Sequence, residues 1–303
     1  MTRVLICGSN GLLGQRLALL LCSQTQYEVL NTSHHRSFVF DRRLFDYTQL
    51  DIRSKSDAKS LISSFQPDVI LNAAAVTDVD WCEVHREEAW KANVVGVENL
   101  IEATKKVSAR LVHVSSDHVF DGRNGPYDEE DKPSPISYYG KTKLASENAI
   151  RVSGVPHAIL RSTVVFGYGI EVRPNFALQV VQNLREGTPV RCATDMISNP
   201  TYVGDLSFAL TRAFELGRAG LYHVCGPERL SRYEFAQRIA VAFGLDATLI
   251  HGVQSNSLEF GAPSPLSSGF ITLKSETELH FKPLSVDQAL TMMKREFDTH
   301  GRF

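Results

Sequence analysis

The stretch that decides the fold is "RVLICGSNGLLGQRL", residues 3–17, where a short apolar run passes into a helical pattern through three glycines. Gly8, Gly11 and Gly14 have the spacing G-x-x-G-x-x-G. In such a loop the first glycine permits a tight turn, the second lets the backbone approach a pyrophosphate, and the third lets the helix pack closely on the strand. The N–H groups at the start of the helix point toward the same anion.

A glycine pattern is weak by itself, because loops are rich in glycine. Here it directly follows the first apolar run of a longer series, and that context favours dinucleotide binding over an ordinary turn. The loop residues expected to contact a dinucleotide are Gly8, Asn10, Gly11, Leu12, Leu13 and Gly14.

Short apolar runs alternate with helical patterns along the first 165 residues. The predicted strands cover residues 3–7, 27–32, 68–75, 110–116 and 157–165, and the predicted helices cover 12–23, 56–65, 87–106 and 137–153. Continuous apolar strands separated by helices are typical of βαβ units. The pattern therefore predicts an α/β fold with a Rossmann-type, doubly wound parallel sheet.

After residue 166 the alternation loosens. Helices are predicted over 175–186, 205–216, 231–243 and 285–299, strands over 189–193 and 220–226, and an irregular segment over 252–270. We expect an NADP-binding domain at residues 1–165, completed by strands within 188–226. Residues 166–187 and 227–303 are expected to form a smaller substrate-binding lobe.

Composition and charge exclude several classes of protein. The chain of 303 residues has a formal net charge of -2 and no basic tail, so nucleic acid is not an expected partner. The apolar run at residues 17–22 is too short to span a membrane. A strand that begins at residue 3 leaves no room for a targeting peptide, so we expect a cytoplasmic protein.

The metal-ligating residue types show no ligand spacing. Five scattered cysteines form no C-x-x-C, and the ten histidines form no H-E-x-x-H. Free thiols in a reducing compartment are therefore expected instead of disulfides or zinc. His34 and His35 are adjacent, but neighbouring side chains on a loop are more often solvated, so no metal site is predicted.

The end of the second predicted strand bears on which cofactor is bound. An acidic residue there would bond the ribose 2′-hydroxyl of NAD and repel a 2′-phosphate. The stretch "NTSHHR" (31–36) has no acid, whereas Ser33 and Arg36 could hold a phosphate. The sequence therefore favours NADP(H), with NAD(H) as the alternative.

A second notable stretch is "YYGKTK", residues 138–143. In a helix Tyr139 and Lys143 are i and i+4 and share a face, and a nearby ammonium lowers the pKa of a phenol. Tyr138 has Lys141 at i+3, so spacing alone does not choose between the tyrosines. Taken alone, the six residues favour a solvated helix face.

Six ordered stretches extend this pattern over most of the chain. They are "GSNGLLG" (8–14), "DVILNAAAVTDVDWCE" (68–83), "ANVVGVENL" (92–100), "LVHVSSDHVFDGRNGPYDEEDKPSPISYYGKTKLASE" (111–147), "LRSTVVFG" (160–167) and "DMISNPTYVGDLS" (195–207). Together they resemble the extended short-chain dehydrogenase/reductase family. Within it they are similar to the dTDP-4-dehydrorhamnose reductases and to the related regulatory beta subunits of methionine adenosyltransferase.

The resemblance implies roles for particular residues. Those implied for catalysis are Ser116, Tyr139, Lys143 and Asn93, the last as the holder of a relay water. Besides the glycine loop, Ser33 and Arg36, the implied cofactor contacts are Asp51, Ile52, Ala73, Ala74, Ala75, Tyr139 and Lys143. The implied substrate contacts are Thr77, Ser116, Asp117 and His118.

The implied activity is NADPH-dependent reduction of the 4-keto group of a nucleotide-linked 6-deoxy sugar, as in dTDP-rhamnose biosynthesis. Ser116 would bond the growing oxyanion and Tyr139 would deliver the proton. The alternatives are an NADP-binding regulatory subunit of the methionine adenosyltransferase type and a reductase or epimerase of another sugar nucleotide. A homodimer is one open option for the assembly.

Two positions depart from the family pattern. His118 stands where the dTDP-4-dehydrorhamnose reductases usually have tyrosine. The sugar-nucleotide dehydratases of the same superfamily have glutamate at this place. Ser264 stands where the family usually has an arginine, which weakens the case for a dTDP-sugar.

Overall fold

The apolar runs of the first half of the chain form one parallel sheet. The computed structural model describes residues 1–300. In chain order the strands are β1 (Thr2–Cys7), β2 (Tyr27–Ser33), β3 (Tyr47–Gln49), β4 (Val69–Asn72), β5 (Arg110–Ser116), β6 (His157–Ser162), β7 (Val165–Phe166), β8 (Val190–Ala193), β9 (Ile197–Ser198), β10 (Thr201–Tyr202), β11 (Gly220–Val224), β12 (Leu230–Ser231) and β13 (Ile250–Val253).

Seven of these strands form the main sheet in the order β11-β6-β5-β4-β1-β2-β3, and every neighbouring pair is parallel. From β1 the chain runs outward to β2 and β3, then crosses back to β4 on the other side of β1. In a doubly wound sheet this reversal leaves a crevice at the carboxyl ends of the two central strands, where ligands bind. The predicted Rossmann-type fold is confirmed.

Helices cover both faces of the sheet and build the lobe beyond it. They are α1 (Leu12–Cys22), α2 (Lys55–Phe65), α3 (Val79–Val84), α4 (Arg86–Trp90), α5 (Gly96–Val107), α6 (Tyr138–Val152), α7 (Phe176–Arg185), α8 (Val203–Glu215), α9 (Arg232–Phe243), α10 (Leu273–Glu278) and α11 (Val286–His300). A π-helical turn, Lys91–Val95, joins α4 to α5.

The central strand β1 shows why its residues 4–7 are continuously apolar. Val4 and Ile6 pack on one face with side chains of α1 and α8. Leu5 and Cys7 pack on the other face with side chains of α2, α5 and α6. Because both faces are buried, no position of the strand needs a polar side chain.

Two predictions about the sheet were incomplete. β3 was not predicted, because only Tyr47 of its three residues is buried and so short a run has no visible period. The strand predicted at 189–193 forms, but it pairs with β13 in a separate two-stranded sheet. β13 lies at the edge of the segment predicted to be irregular. β11, from the predicted strand at 220–226, is the edge strand of the main sheet next to β6.

The C-terminal part has its own core. Residues of α7, α9 and α11, among them Val181, Phe235 and Leu290, pack together with Cys192 of β8 and Ile250 of β13. Within residues 1–300, no helix combines the length and the apolar character needed to cross a membrane.

A buried ion pair connects α6 to the sheet. Arg161 of β6 donates from Nε and Nη2 to the two carboxylate oxygens of Glu147 at 2.9 and 2.7 Å, and both side chains are fully buried. Arg161 Nη1 lies 3.3 Å from Nε2 of His223, whose Nδ1 is 3.1 Å from the carbonyl oxygen of Tyr127. Removing one partner of such a pair leaves a buried charge uncompensated.

We expect Glu147→Gln to lower the free energy of unfolding by roughly 3–5 kcal/mol, because Arg161 keeps its charge without a carboxylate. Chemical denaturation measures this. The control is Glu102→Gln, which removes the exposed ion pair with Lys55 and should cause no measurable change. Equal stability of the Glu147→Gln variant and wild type would contradict the expectation.

Stability should also fall in acid because of His223. Burial and the positive charge of Arg161 lower its pKa from 6.5 to about 3. Below pH 6.5 the unfolded chain therefore binds a proton that the folded chain does not, which removes roughly 1.4 kcal/mol per pH unit down to pH 3. Denaturation curves between pH 7 and 4 should show a shallower loss for His223→Gln. The control variant, in which the exposed His251 is replaced by Gln, should lose stability with falling pH as wild type does. The same pH dependence in wild type, His223→Gln and the His251 control would contradict the assignment of the acid loss to His223.

Candidate active site

A cavity of about 1110 Å³ opens at the carboxyl ends of the central strands. Residues from both parts of the chain line it. Of the predicted site residues, those in the wall are Gly8, Asn10, Gly11, Leu12, Leu13, Gly14, Ser33, Asp51, Ile52, Ala73, Ala74, Ala75, Thr77, Ser116, Asp117, His118, Tyr139 and Lys143. Arg36 and Asn93 are not among the lining residues.

The glycine loop is held by backbone contacts that exclude side chains. Gly8 has φ +86°, and a Cβ there would lie 2.7 Å from the amide nitrogen of Ala74. A Cβ on Gly14 would collide with the carbonyl oxygen of Gly8. No side chain caps the first turn of α1, so its N–H groups remain available to an anion. The loop therefore fits a pyrophosphate.

Arg36 is exposed on the loop after β2 and is not itself among the lining residues, although its neighbours His35 and Ser37 are. Ser33 Oγ is 2.8 Å from the hydroxyl of Tyr47, which fixes it in the wall. The cation that does line this end is Arg53, whose Nε and Nη2 donate to the carboxylate of Asp51 at 2.7–3.0 Å. Arg53 was missed because the short strand before it was missed.

Asn93 lies behind the wall, on the π-helical turn. Its side-chain oxygen accepts from the backbone N–H of Val76 at 2.8 Å, and its Nδ2 donates to Val76 O and Thr142 Oγ1 at 2.9 and 3.0 Å. Both N–H groups are thus committed to protein acceptors. The predicted water relay through Asn93 stays a prediction.

A glycine also places Tyr139. Ser137 caps α6 by accepting from the N–H of Gly140 at 3.1 Å. A Cβ on Gly140 would collide with the carbonyl oxygen of His118, so the helix start presses against the turn that follows β5. This contact puts the ring of Tyr139 edge-on to that of His118, with centroids 5.4 Å apart, and within hydrogen-bond reach of Ser116. A glycine beside the tyrosine was the available sequence signal.

Burial dominates the electrostatics of the pair. It raises the pKa of Tyr139, while the hydrogen bond with Ser116 lowers it. Burial lowers the pKa of Lys143 to about 8, against the opposing charge of Glu147. The expected lowering of the tyrosine pKa by the lysine is therefore wrong for this structure. Lys143 Nζ instead donates to the carbonyl oxygen of Val114 at 2.6 Å.

A buried histidine underlies Lys143 and was missed in the sequence. His113 Nε2 is 3.4 Å from Lys143 Nζ and 3.3 Å from Ser146 Oγ, while Nδ1 is 3.0 Å from Asn72 Nδ2. Burial and then the charge of Lys143 lower the pKa of His113 well below 6.5, so the ring is neutral. The available sequence signal for His113 was a titratable side chain inside the apolar run of β5.

The C-terminal part closes the other end of the cavity. Asp117 accepts from Ser116 Oγ at 3.2 Å and from Ser268 Oγ at 2.7 Å. Arg229 Nη2 donates to the carbonyl oxygen of Ser268 at 3.0 Å, which fixes this segment. His118 Nδ1 is buried and has no hydrogen-bond partner within residues 1–300.

Metal chemistry has no evident site here. In the described part of the chain, no cluster of three or more His, Cys, Asp or Glu side chains is arranged to hold an ion.

Known proteins share this sequence and fold. The dTDP-4-dehydrorhamnose reductase of Aggregatibacter actinomycetemcomitans is 36% identical over 78% of this chain and 77% of its own. Methionine adenosyltransferase 2 subunit beta of Rattus norvegicus is 32% identical over 91% of this chain and 82% of its own. The solved dTDP-4-dehydrorhamnose reductase of Bacillus anthracis, in complex with NADP, is 28% identical, with a TM-score of 0.86 over 98% of this chain and all of that one.

The resemblance expected from the sequence motifs is thereby confirmed. The model of the family described as the RmlD substrate binding domain matches residues 1–299. This chain, with its glycine loop at the sheet reversal and Tyr139 and Lys143 on the helix beside it, belongs to the RmlD substrate binding domain family.

Proposed function

We propose that this protein is an NADPH-dependent reductase of the 4-keto group of a nucleotide-linked 6-deoxy sugar. The observation that carries the proposal is the convergence of Ser116, Tyr139 and Lys143 in the same cavity as the glycine loop. Similarity to dTDP-4-dehydrorhamnose reductases supports the choice of substrate class.

The residues present fit a dinucleotide. Gly8 and Gly14 let the backbone around the loop pack closely, Gly11 adds no side chain at the start of α1 where a pyrophosphate would lie, and the small side chains Ala73–Ala75 line the adjoining wall. When bound, the reduced nicotinamide supplies the hydride. The chain's own residues position the carbonyl and move the proton.

Tyr139 is the proposed proton donor. A phenol is protonated at neutral pH, as a general acid requires, and the raised pKa of Tyr139 means that it gives up this proton less readily than a free tyrosine does. Ser116 donates a hydrogen bond to the carbonyl oxygen as negative charge develops there. Lys143, fixed by the carbonyl oxygen of Val114, is positioned to bond the cofactor, and Asn93 holds the Val76 backbone beside the substrate contact Thr77.

We further infer that residues 1–165, with β11, form the cofactor domain, and that residues 166–187 and 227–303 form the substrate lobe. The separate core around α7, α9 and α11 supports this division. The cytoplasmic location and the homodimer remain predictions.

A second function is favoured by one observation. The 32% identity over 91% of the chain to a methionine adenosyltransferase beta subunit supports a regulatory, cofactor-binding role. Stoichiometric co-purification with an adenosyltransferase, without NADPH oxidation on any keto sugar, would favour this role over the reductase.

We expect Tyr139→Phe to reduce NADPH oxidation with a dTDP-4-keto-6-deoxyhexose by about 10²–10⁴-fold, because the proton donor is lost. Absorbance at the NADPH band measures turnover, and fluorescence titration should show unchanged NADPH affinity. Tyr138→Phe is the matched control and should keep wild-type turnover. A fully active Tyr139→Phe variant would rule out the assigned mechanism.

The preference for NADPH over NADH tests whether Arg53 or Arg36 contacts the 2′-phosphate of the cofactor. Arg53 lines the cavity and its Nη1 has no hydrogen-bond partner among the described residues, so it is free to bond a 2′-phosphate, whereas Arg36 is exposed and is not itself among the lining residues. We expect Arg53→Met to weaken NADPH binding about tenfold, in line with loss of one charge-assisted hydrogen bond. NADH binding should not change, and Arg36→Met should affect neither cofactor. A larger effect of Arg36→Met would restore the sequence-based assignment.

A further inference from the structure

Three arginines line the cavity, and they differ in what balances their charge. Arg53 lies 2.7 Å from a carboxylate oxygen of Asp51, and Arg173 lies 2.8 Å from one of Asp78. Arg232 has no carboxylate within 4 Å in residues 1–300. Its charge is therefore left for something else to balance.

The local fold fixes where this guanidinium lies. Arg232 is the first residue of α9, directly after the capping residue Ser231, and its N–H donates to the carbonyl oxygen of Met196 at 3.0 Å. The guanidinium lies over the ring of Phe176, 4.9 Å from its centroid. Stacking holds the planar group by its face and leaves its N–H edges to a ligand, and such a fork suits two oxygens of one anion.

The nearest acidic side chain does not neutralise Arg232. Burial lowers the pKa of Arg232, and the charge of Asp117 raises it. Asp117 already accepts hydrogen bonds from Ser116 and Ser268. A partly desolvated cation without a paired anion is unfavourable, so a ligand anion at this place would be bound strongly.

His118 lines the same cavity as Arg232. Burial and the charge of Arg232 both lower the pKa of His118, against the opposing charge of Asp117. The ring of His118 also contacts that of Tyr139, and its buried Nδ1 has no partner in the described residues. His118 Nδ1 and the guanidinium N–H groups of Arg232, which form no hydrogen bond with the described residues, thus line the same cavity as the proposed proton donor.

We propose that Arg232 binds an anionic oxygen group of the substrate, a phosphate or a carboxylate, while the carbonyl of the same substrate lies at Tyr139 in the same cavity. The position of that carbonyl rests on the proposed function. The substrate is then a nucleoside diphosphate sugar whose diphosphate reaches Arg232, or a sugar that carries its own carboxylate. His118 Nδ1 bonds a neighbouring hydroxyl of the same ligand.

Calorimetric titration of the NADPH-loaded protein tests the anion site with two matched pairs of probes. Thymidine and dTDP differ by the diphosphate, and D-glucose and D-glucuronate differ by the carboxylate. We expect wild type to prefer the charged member of at least one pair, and Arg232→Met to reduce that preference about 10- to 100-fold. Arg232→Lys should retain part of it. Arg238→Met removes the same charge from the same helix outside the cavity and should bind as wild type does.

The outcomes separate the sources of the anion. A loss confined to dTDP identifies the diphosphate, a loss confined to D-glucuronate identifies a sugar carboxylate, and either supports the proposal. Equal affinities of wild type and Arg232→Met for all four probes would overturn it. Melting temperature and NADPH affinity report whether the variant folds, and Arg232→Gln provides the same comparison if the methionine variant does not.

Turnover keeps this proposal distinct from the reductase assignment. If wild type oxidises no NADPH with any keto-sugar nucleotide, the proposed function fails, while the calorimetric comparison still decides whether Arg232 holds an anion.

Discussion

The shape of the cavity depends on close contacts in which backbone meets backbone without an intervening side chain, and three of them involve Gly8, Gly14 and Gly140. Gly8 lies against Ala74 where β1 and β4 end, and Gly14 brings α1 onto the loop that precedes it. Gly140 seats α6 on the carbonyl of His118. A methyl group at any of these positions would push apart the elements that carry the nucleotide loop and Tyr139. Glycine is needed here for close approach more than for flexibility.

The burial that follows from this close packing also sets the protonation of the site. It raises the pKa of Tyr139 and lowers the pKa values of Lys143 and His113, because desolvation disfavours the charged form of each group. The histidine beneath the lysine is thereby kept neutral. One physical cause thus acts in opposite directions on an acid and on two bases.

The Rossmann-type sheet was predictable because each βαβ unit is local in sequence and its strands are buried on both faces, which leaves long apolar runs. The pairing of strands that are distant in sequence was not predictable. β8 and β13 are about sixty residues apart, and no pattern in either strand names its partner. The π-helical turn that carries Asn93 was predicted as ordinary helix. The side chain of Asn93 is held by the backbone of Val76, which lies outside the helix, and the local sequence pattern does not show this contact.

By itself, the sequence determined the sheet, the glycine loop, and Tyr139 and Lys143 as neighbours on one helix, because those features depend on local spacing. Only the tertiary structure decided which charges meet. It left Arg36 on an exposed loop, brought Arg53 to the wall of the cavity, and placed Arg232 in the same wall with no carboxylate within 4 Å among the described residues. Side chains distant in sequence become neighbours only through packing, and the depth of burial, which has no local signature, then fixes their ionisation.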